Sequence, residues 1–127
     1  MHLKHIMVVD DDRDIRDAVA EALAFEGYNV YCAENGKVAL DQLKGLPSEK
    51  LPGCIFLDLM MPVMDGTEFL VKFDHQSEDI SGIPIVVASA NLDYRVDDKH
   101  VVSKLRKPMD IEQIYEVAHR FCGHPLQ

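Results

Sequence analysis

The chain has no tryptophan, three cysteines, and 13 basic residues against 22 acidic ones. Each shortage excludes something. A net charge of −9 argues against direct nucleic-acid binding, which draws on a basic face to neutralise phosphates. Cys32, Cys54 and Cys122 are odd in number, far apart in sequence and lack a C-x-x-C pair. That pattern excludes a disulfide framework and a cysteine zinc site, and leaves three reduced thiols. No apolar run approaches the roughly 20 residues of a membrane span. The opening MHLKHIMVVDDD has no apolar core of the kind a signal peptide carries. A cytoplasmic protein with no membrane partner is therefore expected. Met1 suggests a natural start, although a domain cut from a longer protein would read the same. The six histidines are scattered, and their spacing assigns them no role.

What is present is enough for one domain. With 127 residues, 47% hydrophobic and 28% charged, the chain can bury a core without staples. The apolar pattern alternates between two periods. IMVV (6–9), CIFL (54–57) and IVVA (85–88) are short continuous runs that predict strands buried on both faces. Weaker strands are expected at 30–33 and 101–105. Between them, Ile15, Ala18, Val19, Ala22 and Leu23 repeat at helical spacing. Gly27 is placed to stop that helix, and Asp11 or Asp12 to cap it, with Asp14 in the first turn. Further helices are predicted from about Lys37 to Leu43, after Asp65-Gly66, and from Asp110 through Ile111, Ile114, Tyr115 and Ala118.

Strand and helix alternating in this way predict an α/β fold, a single doubly wound parallel sheet with helices on both faces. Ligands of such sheets bind beyond the C-terminal ends of the strands. Polar residues gather at that edge. Asp10, Asp11 and Asp12 follow the first strand, Asp58 ends the third, Ser89 ends the fourth and Lys107 follows the fifth. Carboxylates crowded together repel unless something positive lies among them. Hard oxygen ligands without imidazole or thiolate favour Mg²⁺. Lys107 and Ser89 would complete a pocket for a phosphoryl group, and Asp58 is the carboxylate best placed to act as nucleophile.

IMVVDDD, FLDLMMPVMDG, IPIVVASA and LRKP, in that order, resemble the successive motifs of the receiver (CheY-like) domain of two-component response regulators. The resemblance runs from Lys4 to about Phe121 and implies a flavodoxin-like sheet of five parallel strands in the order 2-1-3-4-5. It makes Asp58 the phosphoacceptor. Asp10, Asp11, Asp58 and the Met60 backbone carbonyl become the Mg²⁺ ligands, Asp11 directly and Asp10 mainly through water. Ser89 becomes the switch hydroxyl, Lys107 the phosphoryl-pairing lysine, and Pro108 a proline that follows a cis bond. The implied partners are a sensor histidine kinase or phosphotransfer protein and a downstream protein target, with a phosphorylation-dependent homodimer as a further form. Such a chain catalyses only its own phosphorylation and dephosphorylation, and no output domain follows within residues 1–127.

This chain departs from the family pattern in several places. From Ser89 to Lys107 it is about one helical turn shorter than usual, so the helix expected over NLDYRVDDKH (91–100) should be short or irregular. Lys104 stands where an aromatic is usual, and Tyr94 cannot be given that role. GLPSEKLPG (45–53) reads as a surface insertion. Met60 and Asn91 occupy the two variable positions beside the site, and a methionine offers no hydrogen bond to an attacking water. Two other readings fit part of the pattern, a receiver-like module that binds partners without phosphorylation and a haloacid-dehalogenase-like phosphohydrolase. Arg13-Asp14 fits the second poorly.

Overall fold

A computed structural model describes residues 4–90 and 98–125. Five strands, β1 (His5–Val9), β2 (Asn29–Ala33), β3 (Cys54–Asp58), β4 (Ile85–Ser89) and β5 (Val101–Arg106), form one sheet. Its order is β2-β1-β3-β4-β5, and every neighbouring pair is parallel. The helices are α1 (Arg13–Glu26), α2 (Gly36–Gly45), α3 (Gly66–Asp74), α4 (Glu78–Ser81) and α5 (Ile111–Cys122). Fold class and strand order are those expected. The short α4, before β4, was not; four residues carry too little apolar period to announce a helix. The 45–53 insertion holds one 3₁₀ turn, Ser48–Lys50. The helix expected over 91–100 falls mostly on residues 91–97, which lie outside the described residues.

Central strands β3 and β4 are apolar up to their last residue because the sheet has a core on each face. Met7, Val9, Ile55, Leu57, Ile85 and Val87 pack with Leu40 and Leu43 of α2 and with Phe69 and Phe73 of α3. Their alternates, Ile6, Val8, Phe56 and Val86, pack with Val19 and Leu23 of α1 and with Ile114, Val117 and Ala118 of α5. Each strand thus divides its side chains between two layers, as the period of two requires. At the sheet's edge the β4–β5 register shifts between Ile85 and Val86, which pair with Val101 and Ser103. Val102 is the extra residue, 42% exposed.

Local chemistry sets the helix ends. Asp12, rather than Asp11, caps α1, accepting from the N–H groups of Asp14 at 3.0 Å and Ile15 at 3.2 Å. Gly27 stops α1 in the left-handed conformation at φ 118°, as its position suggested. Asp110 and Gln113 form a capping box at the start of α5, satisfying two of that helix's free N–H groups. The cysteines are all free, but two are neighbours in space. The Cys54 thiol hydrogen-bonds Cys122, which raises the pKa of Cys54 and lowers that of Cys122. Sequence distance concealed the contact, because β3 begins where α5 ends.

Candidate functional site

The order of the sheet reverses between β1 and β3, and a doubly wound sheet binds its ligands at such a crossing point. Here β1 and β3 deliver carboxylates. Asp10 and Asp58 are only 4% and 6% exposed, and Ser89, ending β4, only 3%. Together with Asp11, Asp12, Met60 and Lys107 they line a cleft of about 390 Å³.

The two buried acids are held in place. Asp10 Oδ1 accepts the Asp12 N–H at 2.9 Å, and its backbone carbonyl accepts Arg16 Nη1 at 2.9 Å. Asp58 Oδ1 accepts the Met60 N–H at 3.2 Å. Lys107 Nζ reaches across from the end of β5, 2.7 Å from Asp10 Oδ2 and 3.4 Å from Asp58 Oδ2. The Lys107 N–H donates to the Ser89 carbonyl at 2.9 Å, so pairing with β4 sets the lysine's height. The peptide between Lys107 and Pro108 is cis. Carboxylate oxygens of Asp10, Asp11 and Asp58 all lie within 4.8 Å of one another.

The electrostatics follow from that crowding. Burial raises the Asp58 pKa and the Met60 N–H opposes it; Asp10, opposed by Lys107, and a hydrogen bond donated by protonated Asp58 to Asp11 leave it raised to about 6. Burial alone would lower Lys107, but its hydrogen bond to Asp10 and the charges of Asp10 and Asp58 outweigh that and raise it. Lysine and acids therefore stabilise each other's charged forms. Among the described residues, the grouped carboxylates of Asp10, Asp11 and Asp58 against the Lys107 ammonium leave two negative charges in surplus when all are ionised, the amount one divalent cation cancels. The donor set is all oxygen and partly open to solvent, which suits Mg²⁺.

The loop from β3 to α3 closes one wall. Met64 N–H donates to the Pro62 carbonyl at 2.7 Å, with Val63 between them at φ 68°. A branched side chain at positive φ is strained. Asp65 caps α3 through the Glu68 N–H at 2.9 Å. Gly66 is required by close approach, because a Cβ there would lie 2.7 Å from Leu59 Cα.

All the side chains singled out from the sequence, Asp10, Asp11, Asp58, Ser89 and Lys107, thus meet at one cleft, and Met60 lines it, its side chain 67% exposed. Arg16 was missed; its signal is only a cation one turn into α1. Lys104 is exposed on β5, the edge strand, where a lysine discourages further pairing. Asn91 and Tyr94 lie outside the described residues.

The comparisons with known proteins agree with this geometry. The family model described as "Response regulator receiver domain" matches residues 6–119. Response regulator MprA of Mycolicibacterium vanbaalenii is 35% identical over 118 residues, covering 86% of this chain and 46% of the relative. The chain thus spans about half the length of the curated relatives it matches. A CheY-like receiver domain protein of Methanospirillum hungatei has 31% identity and a TM-score of 0.78, with 94% of each chain covered. Response regulator TrrA of Thermotoga maritima, solved in complex with Mg²⁺-BeF, has 26% identity and a TM-score of 0.79, covering 94% of this chain and 99% of that one. From Ile6 to His119, this chain belongs to the receiver-domain family of response regulators.

Proposed function

We propose that the chain is a phospho-accepting receiver in which Asp58 takes a phosphoryl group from the phosphohistidine of a kinase or phosphotransfer protein. The observation that carries this reading is the Lys107 ammonium, held at 2.7 Å by Asp10 and at 3.4 Å from Asp58. One cation is shared by a carboxylate that stays and a carboxylate that can react.

Asp10, Asp11 and Asp58, with the Met60 carbonyl, would hold Mg²⁺. Once bound, the ion supplies charge neutralisation for the phosphoryl oxygens. The rest is done by side chains. A carboxylate oxygen of Asp58 attacks phosphorus, the P–N bond breaks, and its electron pair leaves with the donor's imidazole. With a pKa of about 6, Asp58 is mostly ionised at neutral pH and ready to attack. Lys107 pairs with the phosphoryl oxygens that replace the Asp58 charge, and the Ser89 hydroxyl moves to a third. No proton transfer is needed at the nucleophile, so positioning and charge carry the reaction. The acyl phosphate then biases a protein-contact surface, read by a downstream protein or by a second copy. In its own dephosphorylation, water attacks the same phosphorus, the bond from phosphorus to the Asp58 oxygen breaks with its electron pair returning to the carboxylate, and inorganic phosphate leaves with the water's proton passing to solvent.

Incubation with acetyl phosphate and Mg²⁺ should give a retarded band on a phosphate-affinity gel. Asp58→Asn should abolish that band. A band that survives Asp58→Asn would overturn the assignment, and no band in the wild type would favour a module that works unphosphorylated.

A further inference from the structure

A second group of ligand-type side chains lies where α1 and α5 end, and the phosphorylation chemistry makes no use of it. Glu26 is the last residue of α1, His119 stands in the last turn of α5, and His124 follows just beyond. One donor atom from each lies within 4.8 Å of the other two. Among the described residues, the buried His119 Nε2 has no hydrogen-bond partner, and the Glu26 carboxylate oxygen at 3.8 Å is too far to accept. A buried ring nitrogen without a partner costs stability unless something coordinates it.

Three features hold the group together. The Tyr28 hydroxyl donates to the Gly123 carbonyl at 2.7 Å. Pro125 packs over Gly27, where an added Cβ would lie 3.3 Å from its ring. The rings of His119 and His124 sit 5.1 Å apart, and that of Tyr115 stacks on His119 at 6.4 Å. Two helices end here, each with the negative end of its dipole; the last turn of α1 carries an acid and no base, while that of α5 carries Arg120.

We propose that Glu26, His119 and His124 form a binding site for a divalent transition metal of the zinc class, separate from the magnesium cleft. Two imidazoles and a carboxylate are a known zinc donor set, and a tetrahedral ion leaves its fourth position to water. Donors around such an ion stand about 3.3 Å apart, from metal–nitrogen distances of about 2.0–2.1 Å. The group therefore closes by at most roughly 1.5 Å, within reach of side-chain rotation. Zinc, not magnesium, is the fitting ion because two of the three donors are nitrogen. Bound there, it clamps residues 123–125 and the end of α5 to the end of α1.

The full chain, stripped with a chelator and returned to excess Mg²⁺ with a phosphine reductant, is titrated with zinc chloride against a chelating dye. One equivalent should bind. His124→Ala, at a position beyond the end of α5, should weaken binding by at least about tenfold, as should Glu26→Gln. Asp11→Asn, Asp58→Asn and Cys122→Ser should bind as the wild type does, which keeps this result independent of the phosphoacceptor assignment. Absence of binding under excess Mg²⁺ would overturn the proposal. So would binding that survives His124→Ala, or that is lost with Asp11→Asn or Cys122→Ser.

Discussion

Two places in this molecule gather three potential ligands from distant parts of the chain, and they are built in opposite ways. At the cleft, strands β1, β3 and β5 end at one edge, and each brings an acid or a base within a residue of its last pairing. At the junction of α1 and α5, helices end and a short return segment supplies the third group. Strand ends in a parallel sheet are fixed by their ladders, on both sides for β1 and β3 and on one for β5, so side chains there meet with little freedom. Helix ends are fixed by caps and by packing of a few rings, which leaves more play. The cleft is already compensated by Lys107, whereas the helix junction holds a buried nitrogen with no hydrogen-bond partner among the described residues. Tight geometry suits a site that must orient a reaction, and looser geometry suits one that closes when its ligand arrives.

The largest test of that contrast removes the compensation. Lys107→Met should cost about 2–4 kcal/mol in magnesium-free buffer, since it strands buried acids, and Mg²⁺ should restore part of the loss. Denaturant melts give the number. Should Lys107→Met prove no costlier than His119→Ala, the claim that the cleft is the tighter site fails.

A second test concerns pH. With its pKa raised to about 6 from 3.8, folded Asp58 holds its proton more tightly than the unfolded chain does. Its ionisation therefore costs stability progressively as pH climbs from about 4 to about 6, and the cost is constant above that. In chelator, the melting temperature of Asp58→Asn should exceed that of the wild type by a margin that widens across this window. Mg²⁺ should narrow the gap at pH 7 more than at pH 4. A constant margin would mean that burial and neighbouring charge do not act on Asp58 in this way.

At the other region, Tyr28→Phe removes the bond to the Gly123 carbonyl and should cost about 1 kcal/mol. It should also loosen residues 123–125, seen as faster amide exchange confined to the ends of α1 and α5. Exchange that accelerates equally at the cleft would blur the comparison. The smallest effect belongs to Met60→Asn, which offers an attacking water one hydrogen bond. Worth about 1 kcal/mol, that bond should shorten the acyl phosphate's half-life about fivefold; an unchanged or longer half-life would refute the idea.

Most of the sheet and the whole side-chain set at the cleft were legible because both rest on short-range signals. IMVV, CIFL and IVVA are apolar without interruption, and such runs in an alternating chain can only be buried strands. Asp10, Asp58 and Ser89 each stand at the end of such a run and Lys107 follows the weaker fifth strand, so topology carried them to one edge. What escaped depends on contacts between residues far apart. His119 and His124 are five apart, which no regular helix aligns, and Glu26 lies beside them only because α1 and α5 pack on the same face. Cys54 and Cys122 were hidden in the same way. The choice of Asp12 over Asp11 as cap turned on backbone angles that two adjacent aspartates do not reveal.

Val102 shows how fine the tolerance is on the sheet's open side. On β5, Val101 packs in the layer beneath α2 and α3 while Leu105 packs in the layer beneath α1 and α5, although the two are four residues apart and uninterrupted alternation would send both the same way. The one surplus residue between them resets the phase of the strand. Shortened by that residue, the strand could keep Val101 in its layer or keep Lys107 level with Ser89, but it could not do both. Length at this single position therefore decides whether the ammonium arrives at its acids.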